Sequence, residues 1–306
     1  MEGKNSKLKI WLMEPRPPFL ILTLCLVSVG TAVAAYNGFF NPLYFVLALA
    51  GMLLAHISGN VLNDYFDYKS GLDLKTERTP FSGGSGILPN NLLNPNGVYS
   101  LGVACLALAI VIGVYFVIIW SWIFIPLMII SAISIYFYSP YFAKYMLGEA
   151  LAGLNFGPLA VLGAYFIQTG AYSFEALIAS LAPGILTANL LLLNEFPDMD
   201  ADGKVGRRNL VIFLGRKRAS KLYSVLIIVT YLCIIIGVTA GILPLPTLIA
   251  LGTIPIAIKA MKGALRNYDD TRKIIPAMAA NVTMILLTQA LLALGYVLAT
   301  LLPIIS

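Results

Sequence analysis

The sequence predicts an all-α polytopic membrane protein with nine transmembrane helices. The chain has 306 residues, of which 59% are hydrophobic and only 11% are charged, whereas about a quarter of the residues of a soluble domain are charged. Apolar stretches of about twenty residues recur from end to end, and each is long enough to cross a hydrocarbon core of ~30 Å. The stretches are continuous rather than alternating, which argues against a transmembrane β-barrel.

The nine predicted spans form a single domain over residues 1–306. They cover residues 17–36, 42–66, 97–118, 121–138, 148–167, 174–195, 219–240, 244–262 and 275–301. The segment before the first span is too polar for a cleavable signal peptide.

The positive charges predict the orientation of these spans. With nine spans, all twenty Lys and Arg residues fall on one side of the membrane, as do thirteen of the fourteen acidic residues; Glu175 is the exception. The positive-inside rule then places the N-terminus in the cytoplasm and the C-terminus outside, as expected for a protein of the plasma membrane. The net charge of +6 therefore indicates topology and attraction to anionic headgroups, and not nucleic-acid binding.

A polar cluster marks the predicted cytoplasmic end of the second span. Asn60, Asn63, Asp64 and Asp67 follow one another at spacings of three and four. If the helix continues through them, these side chains share one face.

A second acidic cluster follows the sixth span. Asn194, Asp198 and Asp202 are spaced i, i+4 and i+8, again one face if the helix continues past Pro197. Because both clusters follow even-numbered spans, they open on the same surface and can converge on one site within residues 60–73 and 194–202.

Such a pair of clusters predicts a cation-binding site. Clustered carboxylates repel one another, and oxygen donors without His or thiolate suit Mg²⁺ or Ca²⁺. The clusters are accompanied by a "GGSG" segment at 83–86 and by basic residues. Together these features favour a site that binds a metal-bridged diphosphate. Because the site would lie next to lipid, an isoprenoid diphosphate is the favoured substrate. The alternative is a set of solvated, helix-capping acids at the membrane surface.

Four blocks of sequence carry a resemblance to a known family. "NDYFDYKSGLD", "RTPFSGGSGILP", "YSPYFAKYMLGEALAGLNFGPLAVLGAYFIQTG" and "DMDADGKVGRRNLVIFLGRKRA" look like the UbiA superfamily of intramembrane prenyltransferases. They look most like its branch that prenylates 1,4-dihydroxy-2-naphthoate in menaquinone synthesis. The resemblance runs from about residue 14 to 218. One departure is Gly71, where many members carry a third Asp; here Asp73 stands two residues further on.

The resemblance implies a nine-helix transferase with a central cavity that opens to lipid. Two Mg²⁺ ions would link the diphosphate to Asn63 and Asp67 on one side and to Asp198 and Asp202 on the other. Asp67 and Asp198 are thus expected to be essential for catalysis.

The chemistry that the resemblance implies passes through an allylic carbocation. The C–O bond of the diphosphate breaks, an electron-rich ring attacks the carbocation, and a proton is lost. Such a cation needs aromatic faces and the exclusion of water. In "SIYFYSPYFAKY" (134–145), we expect Tyr138 beside the cation and Lys144 on the diphosphate. An interfacial aromatic belt is the alternative interpretation of these tyrosines.

Further polar residues are candidate ligands. Asn60, Asp64 and Arg78 are expected on the diphosphate side. Arg16 resembles a family position that faces the cavity and is a candidate for binding the carboxylate of the acceptor. His56, the single histidine, lies one turn before Asn60. It either acts on the acceptor, as a ligand or a general base, or lines a wet cavity.

Other functions and acceptors stay open at the level of sequence. Arg207 and Arg208 fit either the site or the positive-inside rule. A secondary transporter could also hold Asp and Asn in the membrane, although transporter sites lie near the midplane. A lipid diphosphate phosphatase is disfavoured by the single histidine. Hydroxybenzoate and geranylgeranylglyceryl phosphate are alternative acceptors.

Overall fold

The computed structural model of the protein describes residues 2–76 and 78–302, with side chains from Lys7 onward. Every regular element within those ranges is helical. The α-helices are α1 (Glu2–Met13), α2 (Pro17–Tyr36), α3 (Pro42–Ser70), α4 (Pro95–Ile119), α5 (Ile125–Phe137), α6 (Gly148–Leu154), α7 (Ala160–Thr169), α8 (Phe174–Lys204), α9 (Leu210–Leu214), α10 (Arg216–Thr239), α11 (Ile254–Asn267) and α12 (Ile275–Leu301). Short 3₁₀ segments cover Trp122–Phe124, Phe142–Lys144 and Leu245–Thr253, and a π-helical turn covers Asn155–Leu159.

Eight helical segments of the described chain are long and apolar enough to cross a membrane. They are α2, α3, α4, α8, α10 and α12, together with the continuous segments Gly148–Thr169 and Leu245–Asn267. The remaining predicted span corresponds to a shorter apolar helix, Trp122–Phe137. The predicted all-α polytopic class is confirmed, whereas the count of nine spans and the placement of the termini stay predictions.

Local sequence explains where several of these helices begin. Asn41 accepts hydrogen bonds from the backbone N–H groups of Leu43 and Tyr44 at 2.9 and 3.3 Å, and Pro42 opens α3. Asn94 caps α4 in the same way, with Pro95 as the first residue. An Asn cap satisfies N–H groups that the helix leaves free, and proline costs nothing where no N–H is needed.

Two helices continue beyond their predicted ends, and these extensions carry the acidic clusters. α3 runs to Ser70 rather than 66 and stops where Gly71 adopts a left-handed φ of 77°. α8 runs to Lys204 rather than 195 and continues through Pro197. Each polar cluster is therefore helical throughout, as its spacing requires.

Small residues let the central helices approach closely. A β-carbon on Gly30 of α2 would lie 2.3 Å from the carbonyl oxygen of Val161 in α7. One on Gly157 would lie 2.4 Å from the Cα of Gly184 in α8. Helices in lipid associate through such contacts, because apolar surface gains little by leaving an apolar solvent. α2 and α8 are the most buried of the eight segments, whereas α4 leaves large apolar side chains such as Val111 and Ile118 exposed.

Candidate active site

A cavity of about 410 Å³ lies among the central helices. Its polar end is lined by Asp67, from the last turn of α3, and by Asp198, from the last two turns of α8; its apolar wall includes Phe124 and Ile167. The cavity therefore combines a charged end and an apolar body, which are the two halves of a lipid diphosphate.

The first cluster presents Asn63 and Asp67 to this cavity. The Asn63 amide donates to Asp67 Oδ2 at 3.0 Å and to Ser139 Oγ at 2.7 Å. Asp67 is buried and also pairs with Arg207 from the loop after α8. These contacts hold the Asp67 carboxylate in one orientation.

The other half of the first cluster holds the N-terminal segment. Asp64 is buried, pairs with Arg16, and accepts a hydrogen bond from the Ser85 N–H at 2.8 Å. Arg16 also donates to Asn63 Oδ1 at 3.0 Å, and Asn60 donates to the carbonyl oxygen of Pro15 at 2.8 Å. Of the predicted diphosphate ligands here, Asn60 lines the cavity, whereas Asp64 faces protein groups.

Arg207 joins the two clusters. Its Nη1 lies 3.8 Å from Asp202 Oδ1, while its Nη2 contacts Asp67. Asp202 also accepts a hydrogen bond from the Asn209 amide at 2.9 Å. The predicted convergence of α3 and α8 on one site is therefore observed, with a guanidinium between them.

The "GGSG" loop lies against the first cluster. A β-carbon on Gly84, which has a φ of 68°, would lie 3.1 Å from Asp73 Oδ2 and 3.3 Å from Asp64 Oδ1. Burial, together with the nearby charges of Asp67 and Asp64, raises the pKa of Asp73 to about 8. Asp73 lines the cavity despite its shifted place in the motif. The loop thus closes over Asp64, which pairs with Arg16, and over Asp73, which takes part in none of the ion pairs of the described residues.

Glu14 belongs to the same crowded region. It accepts a hydrogen bond from Ser85 Oγ at 3.1 Å. Burial first and the charge of Asp64 second raise the pKa of Glu14 to about 7. This end of the cavity therefore holds more carboxyl groups than Arg16 and Arg207 pair with.

The predicted residues of the loop regions differ in their placement. Tyr138 lines the cavity, and burial next to Glu195 raises the pKa of its hydroxyl. Lys144 is exposed and is not among the residues that line the cavity. Arg78 is also exposed and outside the lining, and it donates to the carbonyl oxygen of Gly84 at 3.3 Å. The roles of Lys144 and Arg78 stay predictions.

The two predicted acceptor ligands both line the cavity. His56 Nδ1 lies 2.7 Å from Thr23 Oγ1, and its ring meets Phe156 edge-on at 4.7 Å. Arg16 adopts a left-handed φ of 55° at the start of α2. Whether either side chain binds the acceptor stays a prediction.

Sequence reasoning missed two further acids that line the cavity, Glu149 and Glu195. Glu149 opens α6, and Glu195 follows Asn194 on α8. Glu149 stands alone in its stretch of sequence, and Glu195 falls outside the four-residue spacing of the Asp cluster. Only their burial in the folded chain identifies these two residues, and the sequence pattern does not show it.

The donor set fits a hard divalent cation. Asn63, Asp67, Asp198 and Asp202 offer only oxygen and amide groups, and Asp198 Oδ1 is buried without a hydrogen-bond donor. Within the described chain, no three His, Cys, Asp or Glu residues form a group that could hold a metal ion by themselves. The residue types are those that Mg²⁺ takes, because it binds one or two carboxylates and completes its shell with water and phosphate.

The site and the fold define a class: an all-helical membrane protein with paired acidic clusters over an apolar cavity. The sequence profile described as the UbiA prenyltransferase family matches residues 22–282. The chain therefore belongs to the UbiA prenyltransferase family and is an intramembrane prenyltransferase. The resemblance seen in the sequence is confirmed, and a transporter is not supported.

Curated relatives resemble the chain over most of its length. The 1,4-dihydroxy-2-naphthoate octaprenyltransferase of Bacillus subtilis (strain 168) is 27% identical, covering 89% of this chain and 87% of the relative. The protein of the same name from Escherichia coli (strain K12) is 28% identical, with coverages of 96% and 97%. A 2-carboxy-1,4-naphthoquinone phytyltransferase from Synechocystis is 27% identical, with coverages of 94% and 93%.

Solved structures share the fold at lower identity. A UbiA homologue from Aeropyrum pernix K1 has a TM-score of 0.68 at 17% identity, covering 87% of this chain and 95% of its own. A digeranylgeranylglyceryl phosphate synthase has a TM-score of 0.62 at 19% identity, with coverages of 96% and 99%. A UbiA homologue from Archaeoglobus fulgidus, bound to DMAPP and Mg²⁺, has a TM-score of 0.55 at 18% identity, with coverages of 92% and 98%.

Proposed function

We propose that the protein transfers a prenyl group from a polyprenyl diphosphate to 1,4-dihydroxy-2-naphthoate in menaquinone biosynthesis. The reaction would take place at the cytoplasmic face of the plasma membrane. One observation carries the proposal: Arg207 joins Asp67 and Asp202 at the polar end of a cavity whose body is apolar. The names of the Bacillus subtilis and Escherichia coli relatives support this acceptor.

Two Mg²⁺ ions are the proposed cofactors. Asn63 and Asp67 would hold one, and Asp198 and Asp202 the other. The free Oδ1 of Asp198 and the Mg²⁺ in the Archaeoglobus fulgidus homologue support this assignment. When bound, the ions would neutralise the charge that builds on the departing diphosphate.

The protein's own groups would bind and shield the reacting atoms. Arg207 already lies at the polar end of the cavity, where its guanidinium group can donate two hydrogen bonds to a phosphate. Arg16 lines the same cavity and would bind the carboxylate of the acceptor. As the C–O bond breaks, its electron pair leaves with the diphosphate, and the acceptor ring supplies the pair for the new C–C bond. The ring then regains its aromaticity by losing a proton. The face of Tyr138 and the apolar walls would stabilise the allylic cation and exclude water.

The proposal is tested with the purified full-length protein in liposomes. Radiolabelled geranylgeranyl diphosphate and Mg²⁺ are supplied with dihydroxynaphthoate, hydroxybenzoate or geranylgeranylglyceryl phosphate in parallel. We expect label on dihydroxynaphthoate, and its loss when EDTA removes the metal. Transfer to another acceptor would keep the reaction class and overturn the acceptor. Transfer in the presence of EDTA would overturn the metal requirement.

A further inference from the structure

A pair of buried carboxyl groups lines the cavity apart from the two Asp clusters. Glu149 is 4% exposed and Glu195 is 8% exposed, and both line the cavity. Glu149 lies on α6 and Glu195 on α8, two helices that pack against each other. None of the ion pairs in the described chain involves either residue.

The packing of α6 on α8 brings these two acids together. A β-carbon on Gly153 of α6 would lie 2.9 Å from the carbonyl oxygen of Gly184 in α8. Glu149 is fixed further by the N–H of Leu210, which donates to its Oε1 at 2.7 Å. The pair is therefore held by two helices and the start of α9, and it has a defined position.

Each carboxyl group has an oxygen without a partner. Oε2 of Glu149 and Oε2 of Glu195 are both buried, and neither receives a hydrogen bond. Leaving a buried acceptor unsatisfied costs about 1–3 kcal/mol, and more when the group is charged. Because both residues line the cavity, a ligand bound there could donate hydrogen bonds to these two oxygens.

The surroundings of the pair suit an aromatic ring. The position of a β-carbon on Gly148, next to Glu149, is 3.1 Å from the Tyr138 hydroxyl and 3.7 Å from Leu191 Cδ2. The side chains of Tyr138 and Leu191 thus lie beside Gly148, the neighbour of Glu149. A ring that carries hydroxyl groups would pack against these side chains and donate its O–H groups to the free oxygens.

We propose that Glu149 and Glu195 form the subsite that binds the hydroxyl groups of the aromatic acceptor. The inference deepens the proposed function and rests on it for the identity of the ligand class. It concerns the hydroxyl end of the acceptor, and Arg16 stays the candidate for binding its carboxylate. The two acids would position the ring and select acceptors that bear a free hydroxyl.

The test compares two stable probes that differ at one oxygen, 1-hydroxy-2-naphthoate and 1-methoxy-2-naphthoate. Binding of each is measured by calorimetry on the detergent-purified full chain and on Glu149→Gln and Glu195→Gln. A methyl ether has no O–H to donate, and glutamine offers one acceptor oxygen where glutamate offers two. We therefore expect the wild type to prefer the hydroxyl probe by about tenfold or more, and each variant to lose most of that preference.

A matched control uses the same substitution on the same helix. Glu175 lies in the first turn of α8 and accepts a hydrogen bond from Asn37 at 3.0 Å. Glu175→Gln should keep the preference for the hydroxyl probe. Thermal unfolding of all three variants shows whether each remains folded, and the ratio between the two probes is insensitive to a uniform loss of binding-competent protein.

The outcomes separate this inference from the proposed function. A hydroxyl preference that survives both substitutions, or a wild type without any preference, would overturn the subsite even if prenyl transfer is observed. A preference that depends on Glu149 and Glu195 would support the subsite even if no acceptor is prenylated in the liposome assay. In the turnover assay, the variants should raise the KM for the acceptor and leave the KM for the prenyl diphosphate unchanged.

Discussion

At the scale of single residues, Asp67 is held from two sides. Asn63 donates to its carboxylate from the same helix, and Arg207 reaches it from the loop that follows α8. Both contacts fix the oxygen atoms that face the cavity. Asp200, by contrast, is an exposed acid between Asp198 and Asp202, and it pairs with Arg216 at 3.0 Å.

This difference predicts the effect of removing one carboxylate. Asp67→Asn keeps the size of the side chain but removes its charge, and we expect turnover to fall by about a hundredfold or more. Asp200→Asn should stay within about twofold, because exposed ion pairs contribute little. Steady-state turnover with geranylgeranyl diphosphate measures both, and thermal unfolding confirms that each variant is folded.

An equal loss of activity in the Asp67 and Asp200 variants would show a general electrostatic or folding effect instead of a site. Full activity of Asp67→Asn would remove Asp67 from the catalytic machinery.

Cations could not be assigned to the site from the sequence alone. Arg207, Arg208 and Lys144 all lie in loops where the positive-inside rule also places charge. In the structure Arg207 is mostly buried between Asp67 and Asp202, whereas Lys144 is exposed. The distinction depends on which loop folds inward, and that is not encoded in spacing along one helix.

At the scale of elements, the helix ends build the polar part of the site. α8 continues through Pro197 because proline removes one hydrogen bond but does not compel the helix to stop, and neighbouring helices stabilise the rest. The continuation carries Asp198 and Asp202 to the mouth of the cavity. Ending the helix before Pro197 would have separated these residues from α3.

The wall formed by α7 predicts a limit on prenyl chain length. Gly163 lines the cavity, and a β-carbon there would lie 3.7 Å from Leu127 Cδ2 and 4.0 Å from Phe124 Cε2. Gly163→Leu would therefore enter the cavity and shorten the space for an apolar tail. We expect kcat/KM to fall by about tenfold for geranylgeranyl diphosphate and to change little for geranyl diphosphate.

The control for this variant is Gly252→Leu, an exposed position where a β-carbon meets no atom within 4 Å. It should affect neither substrate. Equal losses for both chain lengths in Gly163→Leu would mean that the tail does not follow this wall.

At the scale of the whole molecule, the charge distribution predicts a topology. The segment Trp122–Phe137 has 16 residues, about 24 Å of helix at 1.5 Å per residue, against a hydrocarbon core of about 30 Å. Crossing requires local thinning of the bilayer or help from the flanking polar residues. If it crosses, all basic connections lie on one side, as predicted.

Cysteine labelling tests this crossing in intact cells. In a background without Cys25, Cys105 and Cys233, Ser121→Cys should react with an impermeant maleimide from outside. Tyr145→Cys, which replaces an exposed residue, should react only after permeabilisation. Labelling of both positions from the same side would show that this helix does not cross and that the count of nine spans is wrong.

The sequence by itself determined the membrane class, the helices and the two Asp clusters. Those features are local, because the length of an apolar stretch and a spacing of three or four residues can be read from one segment of the sequence. Only the tertiary structure decided that Arg207 lies between the clusters and that Glu149 and Glu195 both line the cavity. These contacts join residues from different helices and loops, and the packing of small residues between helices determines which of them meet.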